Sequence, residues 1–284
     1  MTSNTSSELL CLSEDMNDML SYMGQYGSGE IFISKEFWQE GIAVINISNP
    51  EKRNAISGKM LVDFHSCISE LEHWPKGKAV ILQGLHTNFC SGCDLDFART
   101  CNTPKDAFYL SYLMGNILER LTKLPLISVA LLHGPALGGG GEIALACDHL
   151  VVAEDVKFGL VQGKMGIITV WGGTTRLVNK IGQQKALHLL LSARILNAKE
   201  CIDIGLAIKS VKSEDRFDEV LRWTREHTHL DVSVVRAYKK ASVLNLENID
   251  SLLVKERKLG VPLWGGPVNK EALERRIKHI PNKS

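Results

Sequence analysis

Two glycine-rich turns carry the residue types best placed for chemistry. The first runs Asn88-Phe89-Cys90-Ser91-Gly92-Cys93-Asp94-Leu95, the second His133-Gly134-Pro135-Ala136-Leu137-Gly138-Gly139-Gly140-Gly141-Glu142. Four successive glycines let a backbone approach a ligand with no side chain in the way. The residues that follow, Ile143, Ala144, Leu145 and Cys147, read as a helix whose unpaired first N–H groups face whatever sits at the turn. One N–H from each of two such loops can hold a developing oxyanion. A phosphate cradle is the alternative, but the second turn lacks the Gly-Lys-Ser/Thr ending of a P-loop and the spacing of a dinucleotide fingerprint. A purely structural reading, in which the glycines let a helix pack closely on a strand, also stands. The recurrence of a tight glycine turn, the first of the two ending in Cys93-Asp94, weighs against it. Cys90 and Cys93 have redox or zinc spacing, yet no second Cys or His pair stands at a matching distance, so no metal site is expected. His86 and His133 flank the turns as lone histidines beside strand ends and are assigned no role.

Something must position these turns, and the flanking sequence reads as strands interleaved with helices. Ile31 to Ile33 and Ile42 to Ile47 look like paired strands. Met60, Leu61, Phe64, Cys67, Ile68 and Leu71 form one apolar stripe on a helix, with Ser57 as N-cap. Ala79 to Leu82 is a short buried strand, Pro104 to Leu124 a long amphipathic helix ended by Pro125, and Leu126 to Leu132 a second buried strand running into the glycines. Strand, turn and helix thus recur at intervals of about 45 residues. After about residue 172 strand signals nearly vanish, and seven segments between Thr174 and Ile280, Ile249 to Leu259 among them, favour helix. The expected class is an α/β core with a helical C-terminal part. Three regions are expected: a weakly structured extension over 1–28, a core over 29–210 and a helical region over 211–284. Helically spaced Leu9, Leu10, Leu12, Met16, Met19 and Leu20 offer the extension an alternative as an amphipathic helix.

Charge and composition narrow the function classes. Across 284 residues, 33 Lys plus Arg oppose 32 Asp plus Glu, a net charge of +1, which supplies no field for binding polyanions. Neither a nucleic-acid nor a membrane partner is expected. No apolar run approaches the ~20 residues of a membrane span. Seven cysteines, an odd number in a chain too long to depend on disulfides, suit a reducing compartment. The first residues, rich in Ser, Thr, Asp and Glu and without Lys or Arg before Lys35, fit neither a transit peptide nor a secretory signal. The expected location is the cytosol.

Asn54-Ala55-Ile56 and the two glycine turns together closely resemble the crotonase superfamily, the enoyl-coenzyme A hydratases and isomerases. Further matching motifs are Cys147-Asp148, Phe158-Gly159, Gly172-Gly173-Thr174-Thr175-Arg176-Leu177 and Gly205-Leu206-Ala207, so the resemblance covers roughly residues 30 to 280. It implies a crotonase-like right-handed spiral of ββα repeats, followed by a helical region used for trimerisation, with a homotrimer or hexamer as the assembly. It implies an acyl-CoA substrate whose thioester oxygen is held by the backbone N–H groups of Cys93 and Gly139, the Cys93 thiol being incidental. Lys52, Arg53, Asn54 and Ala55 would then meet coenzyme A, with Leu95 near the pantetheine and Gly138 beside the thioester. Arg275, Arg276 and Lys278 would reach a neighbouring subunit's nucleotide. No cofactor is expected beyond the coenzyme A of the substrate.

One departure decides the reaction expected. The resemblance implies that the family's hydratases use two glutamates to add water, and it puts Gln162 at the second position, leaving Glu142 as the sole family acid. A neutral amide neither gives nor takes a proton at pH 7. A 2-carboxyacyl thioester, by contrast, loses carbon dioxide to leave an enolate that two N–H groups stabilise. A second glutamate would repel the substrate's carboxylate, by about 1 kcal/mol in water and about 4 kcal/mol at an effective dielectric of 20 for charges ~4 Å apart. Met165-Gly166-Ile167, Trp171-Gly172-Gly173 and Leu263-Trp264-Gly265-Gly266-Pro267 resemble family members that decarboxylate ethylmalonyl-CoA to butyryl-CoA, with methylmalonyl-CoA as a second substrate and metabolite repair as the role. Trp171 and Trp264 are then candidate pocket walls, and Glu142 positions or protonates the enolate. Ile167-Ile168-Thr169-Val170 stands where the family has a proline-bearing loop, which bears on the shape of the acyl pocket. The alternatives are a hydratase or isomerase working with Glu142 alone, and a non-catalytic acyl-CoA or RNA-binding member.

Overall fold

The apolar run from Ile42 to Ile47 becomes the second strand of a six-stranded sheet in the computed structural model, which describes residues 15–101, 103–243, 254, 257, 258 and 260–275. The first half contains α1 (Met16–Gly24), β1 (Glu30–Ser34), β2 (Ile42–Ser48), α2 (Gly58–Glu72), β3 (Ala79–Gly84), α3 (Leu95–Thr100), α4 (Pro104–Lys123) and β4 (Ile127–Leu132). The glycine turn then gives β5 (Pro135–Leu137) and α5 (Gly139–Leu145), followed by β6 (His149–Ala153) and β7 (Lys157–Gly159). The remainder comprises α6 (Gly173–Ile181), α7 (Gln183–Ser192), α8 (Ala198–Asp203), β8 (Lys209–Val211), α9 (Arg216–His227), α10 (Val232–Val243) and α11 (Pro267–Glu274).

The strand order is β1-β2-β3-β4-β6-β8, with β1 antiparallel to β2 and every other pairing parallel. Because side chains alternate across a strand, both faces of this sheet are buried. Ala43, Ile45 and Ile47 of β2 face a core shared with α1, α2, α4 and α5, while Ile42 and Val44 face a smaller one closed by Val220, Leu221 and Trp223 of α9. β5 and β7 form a separate two-stranded parallel sheet beside the glycine turn.

Local signals account for the helix starts. Ser57 caps α2 by accepting the Met60 N–H at 3.2 Å, and the stripe from Met60 to Leu71 is buried. Thr103 and Asp106 form a reciprocal capping box at the start of α4. Two expectations need correction. Residues 16–24 of the supposed weakly structured extension form α1, capped by Asp15 and burying Met19, Leu20 and Met23 against α2 and α4. The helical spacing of those residues puts them on one face, and that apolar face outweighs the polar composition around it. Leu9, Leu10 and Leu12 lie outside the described residues. A strand also follows residue 172, because β8 pairs with β6 through Lys209, Ser210 and Val211. Three residues, two of them polar, leave no alternation to detect. Most of the expected helix over 249–259, with Arg276 and Lys278, lies outside the described residues.

Candidate active site

The two glycine turns meet edge to edge. Cys90 bridges Ala136 in parallel fashion, the Cys90 N–H donating to Pro135 O at 3.1 Å and the Leu137 N–H to Cys90 O at 3.0 Å. Three residues further along the two segments stand Cys93, which bridges Ile56, and Gly139, which opens α5. Gly92, at φ +110°, permits the approach: a Cβ there would lie 3.3 Å from the Gly139 amide nitrogen. Among the described residues no acceptor takes the N–H of Cys93 or of Gly139. Two main-chain donors thus stand uncommitted, side by side.

They open onto a cavity of about 100 Å³, open to solvent, that also brings together Leu95, Gly138, Glu142, Gln162, Trp171 and Trp264. Glu142 lies in the first turn of α5 and is 1% exposed; its carboxylate accepts the Trp171 main-chain N–H at 3.0 Å. Arg176 Nη1 donates to the Trp171 carbonyl at 2.6 Å, so that residue's backbone is held from both sides. The Trp171 ring packs on the glycine turn so closely that a Cβ at Gly139 would come within 2.1 Å of Cζ3. Gln162, in the 3-10 turn Gln162–Met165, hangs over the neighbouring glycine: its amide carbon is 4.0 Å from where a Gly138 Cβ would be. Its buried Oε1 accepts no hydrogen bond among the described residues. Burial pushes the Cys93 thiol well above the ordinary thiol range, the neighbouring Cys101 adding to the effect, so the sulfur stays protonated and is a poor nucleophile.

The loop expected to meet coenzyme A adjoins this cavity without lining it. Ser91 ties the two together, its N–H donating to Arg53 O and its Oγ to Lys52 O, both at 3.1 Å. Asn54, at φ +58°, is fully engaged inside the loop: Nδ2 donates to Leu85 O and Asn88 O, and Oδ1 accepts the Asn49 N–H. Ala55 is buried beside it. Lys52 is ion-paired with Asp96 and lies 3.7 Å from Asp94, whereas Arg53 is exposed with no side-chain hydrogen bond or ion pair among the described residues.

Sequence reasoning missed the part played by α11. Its Asn269, 3% exposed, donates to Met165 O and accepts the Gly265 N–H, and Ala272 and Leu273 pack with Met165 and Ile167 to close one cavity wall. The Trp264-Gly265-Gly266-Pro267 motif was the available signal. Ile168 and Val170, from the same segment as Ile167, also line the cavity. Trp264 donates its indole N–H to Cys101 O at 3.0 Å, bracing the far side.

Comparison with known proteins agrees with this geometry. The family model described as enoyl-CoA hydratase/isomerase matches residues 38–272. The chain is 38% identical over 258 residues to the human protein named ethylmalonyl-CoA decarboxylase, covering 89% of this chain and 83% of that one. It is 35% identical over 260 residues to the Xenopus laevis protein of that name, covering 90% and 86%. Among solved structures, enoyl-CoA hydratase from Bacillus halodurans superposes with a TM-score of 0.79 at 23% identity, covering 86% of this chain and 99% of that one. Family model, curated relatives and fold agree, and the chain belongs to the enoyl-CoA hydratase/isomerase family, the crotonase fold.

Proposed function

We propose that this protein decarboxylates ethylmalonyl-CoA to butyryl-CoA, with methylmalonyl-CoA as a second substrate, in a metabolite-repair role that removes side products of a carboxylase acting on the wrong acyl-CoA. The observation that carries the proposal is the pair of uncommitted N–H groups on Cys93 and Gly139 opening into a cavity where Gln162, rather than a second acid, faces Glu142. Relatives that bear the name ethylmalonyl-CoA decarboxylase support the choice of substrate.

The thioester oxygen sits between the two N–H groups. As the bond from C2 to the carboxylate breaks, its electron pair moves into the C1–C2 bond, and the thioester π electrons move onto the oxygen. Carbon dioxide leaves and an enolate remains, held by donors that need no reorganisation. A proton then adds at C2, with Glu142 placed to deliver it or to hold the enolate's partner groups in position. Charge is carried by main-chain donors throughout, so the reaction calls for no cofactor beyond the coenzyme A of the substrate. Arg53, exposed at the rim, is the cation available to the coenzyme's phosphates, while Lys52 must first give up Asp96.

In this reading the protein assembles as a trimer or a dimer of trimers; support comes from exposed Leu187 and Leu191 on α7, Ile202 on α8 and Ile208 before β8. Cytosolic residence fits the free thiols of all six described cysteines. Among the described residues no helix is long and apolar enough to cross a membrane.

The test is a mass-spectrometric assay of the purified protein on ethylmalonyl-, methylmalonyl-, malonyl- and crotonyl-CoA. Loss of carbon dioxide from the branched substrates, with crotonyl-CoA untouched, is expected. Hydration of crotonyl-CoA with the malonyl series intact would overturn the proposal and mean that Glu142 alone suffices to add water.

A further inference from the structure

Asn269 is a polar side chain set in an apolar wall of the cavity, and it is buried. Each end of its amide is engaged with main chain: Nδ2 donates to Met165 O at 3.0 Å, and Oδ1 accepts the Gly265 N–H at 2.9 Å. Its contribution therefore lies in what it holds together. Gly265, at φ +71°, is where the chain turns into α11, so the bond to position 265 fixes how the helix leaves that turn. Met165 ends the 3-10 turn Gln162–Met165, 104 residues away in the chain. Among the described elements α11 packs chiefly on that turn.

Ala272 and Leu273 follow Asn269 by three and four residues and share its face of α11. That face meets Met165 and Ile167 in a small apolar cluster distinct from the sheet's two cores. Apolar contact is non-directional and tolerates sliding, whereas a hydrogen bond between fixed atoms does not. A second polar tie, from Arg99 Nη2 to Leu273 O at 3.3 Å, comes from an exposed arginine. The buried asparagine thus sets the position of α11 on the turn. With the thioester oxygen on the Cys93 and Gly139 donors and coenzyme A leaving by the open side, the acyl chain has the apolar remainder of a cavity of about 100 Å³. Met165, Ile167 and Leu273 all belong to that remainder.

We infer that Asn269 is the positioning residue that limits the length of the alkyl chain accepted on C2, by fixing the wall of Met165, Ile167 and Leu273 through α11. The inference rests on the reading of the site under Proposed function, where that alkyl chain is the ethyl group of ethylmalonyl-CoA. One methylene too many against a fixed apolar wall costs about ten- to two-hundredfold in kcat/KM, and a wall free to shift forfeits the discrimination. Asn269 touches no reacting atom in this account. It acts on selectivity through the side chains it keeps in place.

The experiment is Asn269→Ala in the full-length protein, assayed on ethylmalonyl-, propylmalonyl- and butylmalonyl-CoA. The ratio of kcat/KM for ethylmalonyl-CoA to that for propylmalonyl-CoA should fall by about tenfold or more. A mere loss of folded protein lowers all three substrates together and leaves their ratios alone, so ratios within about twofold of wild type overturn the inference. Should that variant not fold, Leu273→Ala keeps both bonds of Asn269 and trims the wall itself. It should relax the same ratio, and an unchanged ratio again overturns the inference. Calorimetric dissociation constants of butyryl- and hexanoyl-CoA report on the wall without any reaction. Failure of the wild type to decarboxylate ethylmalonyl-CoA counts against the proposed function, and those two constants then decide the inference separately: a preference for the shorter chain that Asn269→Ala abolishes supports it, and one that the variant retains overturns it.

Discussion

Gly139→Ala probes the proposed oxyanion donor through main-chain geometry. The new Cβ would lie 2.1 Å from Trp171 Cζ3 and 2.7 Å from Cη2. Carbon atoms rest about 3.5 to 4.0 Å apart, so ring and turn must separate by about 1.5 Å. A hydrogen bond of ~2.9 Å does not survive a displacement of that size at its donor. Loss of one oxyanion donor costs about 10² to 10³ in kcat, or roughly 2.7 to 4 kcal/mol of transition-state stabilisation. The overpacking itself should lower stability by about 1 to 3 kcal/mol, which a urea melt measures separately. The assay is steady-state formation of butyryl-CoA from ethylmalonyl-CoA, run beside Gly141→Ala, whose Cβ would press on the end of the Leu160 side chain at 2.9 Å and otherwise come no closer than 3.4 Å to Phe158. A folded Gly139→Ala protein that keeps kcat within about threefold of wild type would refute the role given to this N–H.

Three further outcomes are expected. Gln162→Glu sets a carboxylate beside the substrate's own, and a repulsion of about 1 to 4 kcal/mol should raise KM for ethylmalonyl-CoA by about fivefold to a thousandfold and bring out hydration of crotonyl-CoA; an unchanged KM contradicts the charge argument. His133, 1% exposed, is lowered by burial, and secondarily by Arg216, from 6.5 to about 4, so the folded protein keeps it neutral while the unfolded chain takes up a proton. Stability should therefore be full above pH 6.5 and fall by up to ~3 kcal/mol as pH drops to 4. His65 and His149 are lowered too and act in the same direction, so the measurement is the difference in denaturation midpoints between wild type and His133→Asn across that window, and parallel profiles would be the contrary result. Lys239→Met strips Asp148 of a partner that is 1% exposed and should cost about 3 to 5 kcal/mol, whereas removing Lys199 from its open pairing with Asp203 should cost under about 1 kcal/mol; equal urea midpoints for the two variants would contradict the burial argument.

The sheet's central strands and the long helices were legible because their apolar residues are periodic and their caps chemically specific. Ile42 to Ile47, the stripe from Met60 to Leu71, and Thr103 with Asp106 each carry their own signal. β5, β7 and β8 were not legible, because three-residue strands have no period and owe their existence to partners far along the chain. In the site, the glycine turns declared themselves through composition. Asn269 did not, since an asparagine holding two backbone groups looks in sequence like any polar helix residue. Nor could the sequence separate the two tryptophans: what distinguishes them is a carbonyl at Cys101 that one can reach and the other cannot.

The bridge between the glycine turns at Cys90 and Ala136 has a consequence for motion. Both proposed oxyanion donors are main-chain groups on turns tied to each other by that bridge, so neither depends on a side-chain rotamer to reach its place. The carbon bonded to the oxygen is planar in the thioester and in the enolate alike, so an oxygen held there need not move as the reaction proceeds. Strengthening along the reaction then comes from growing charge on a fixed atom, met by donors that are already oriented.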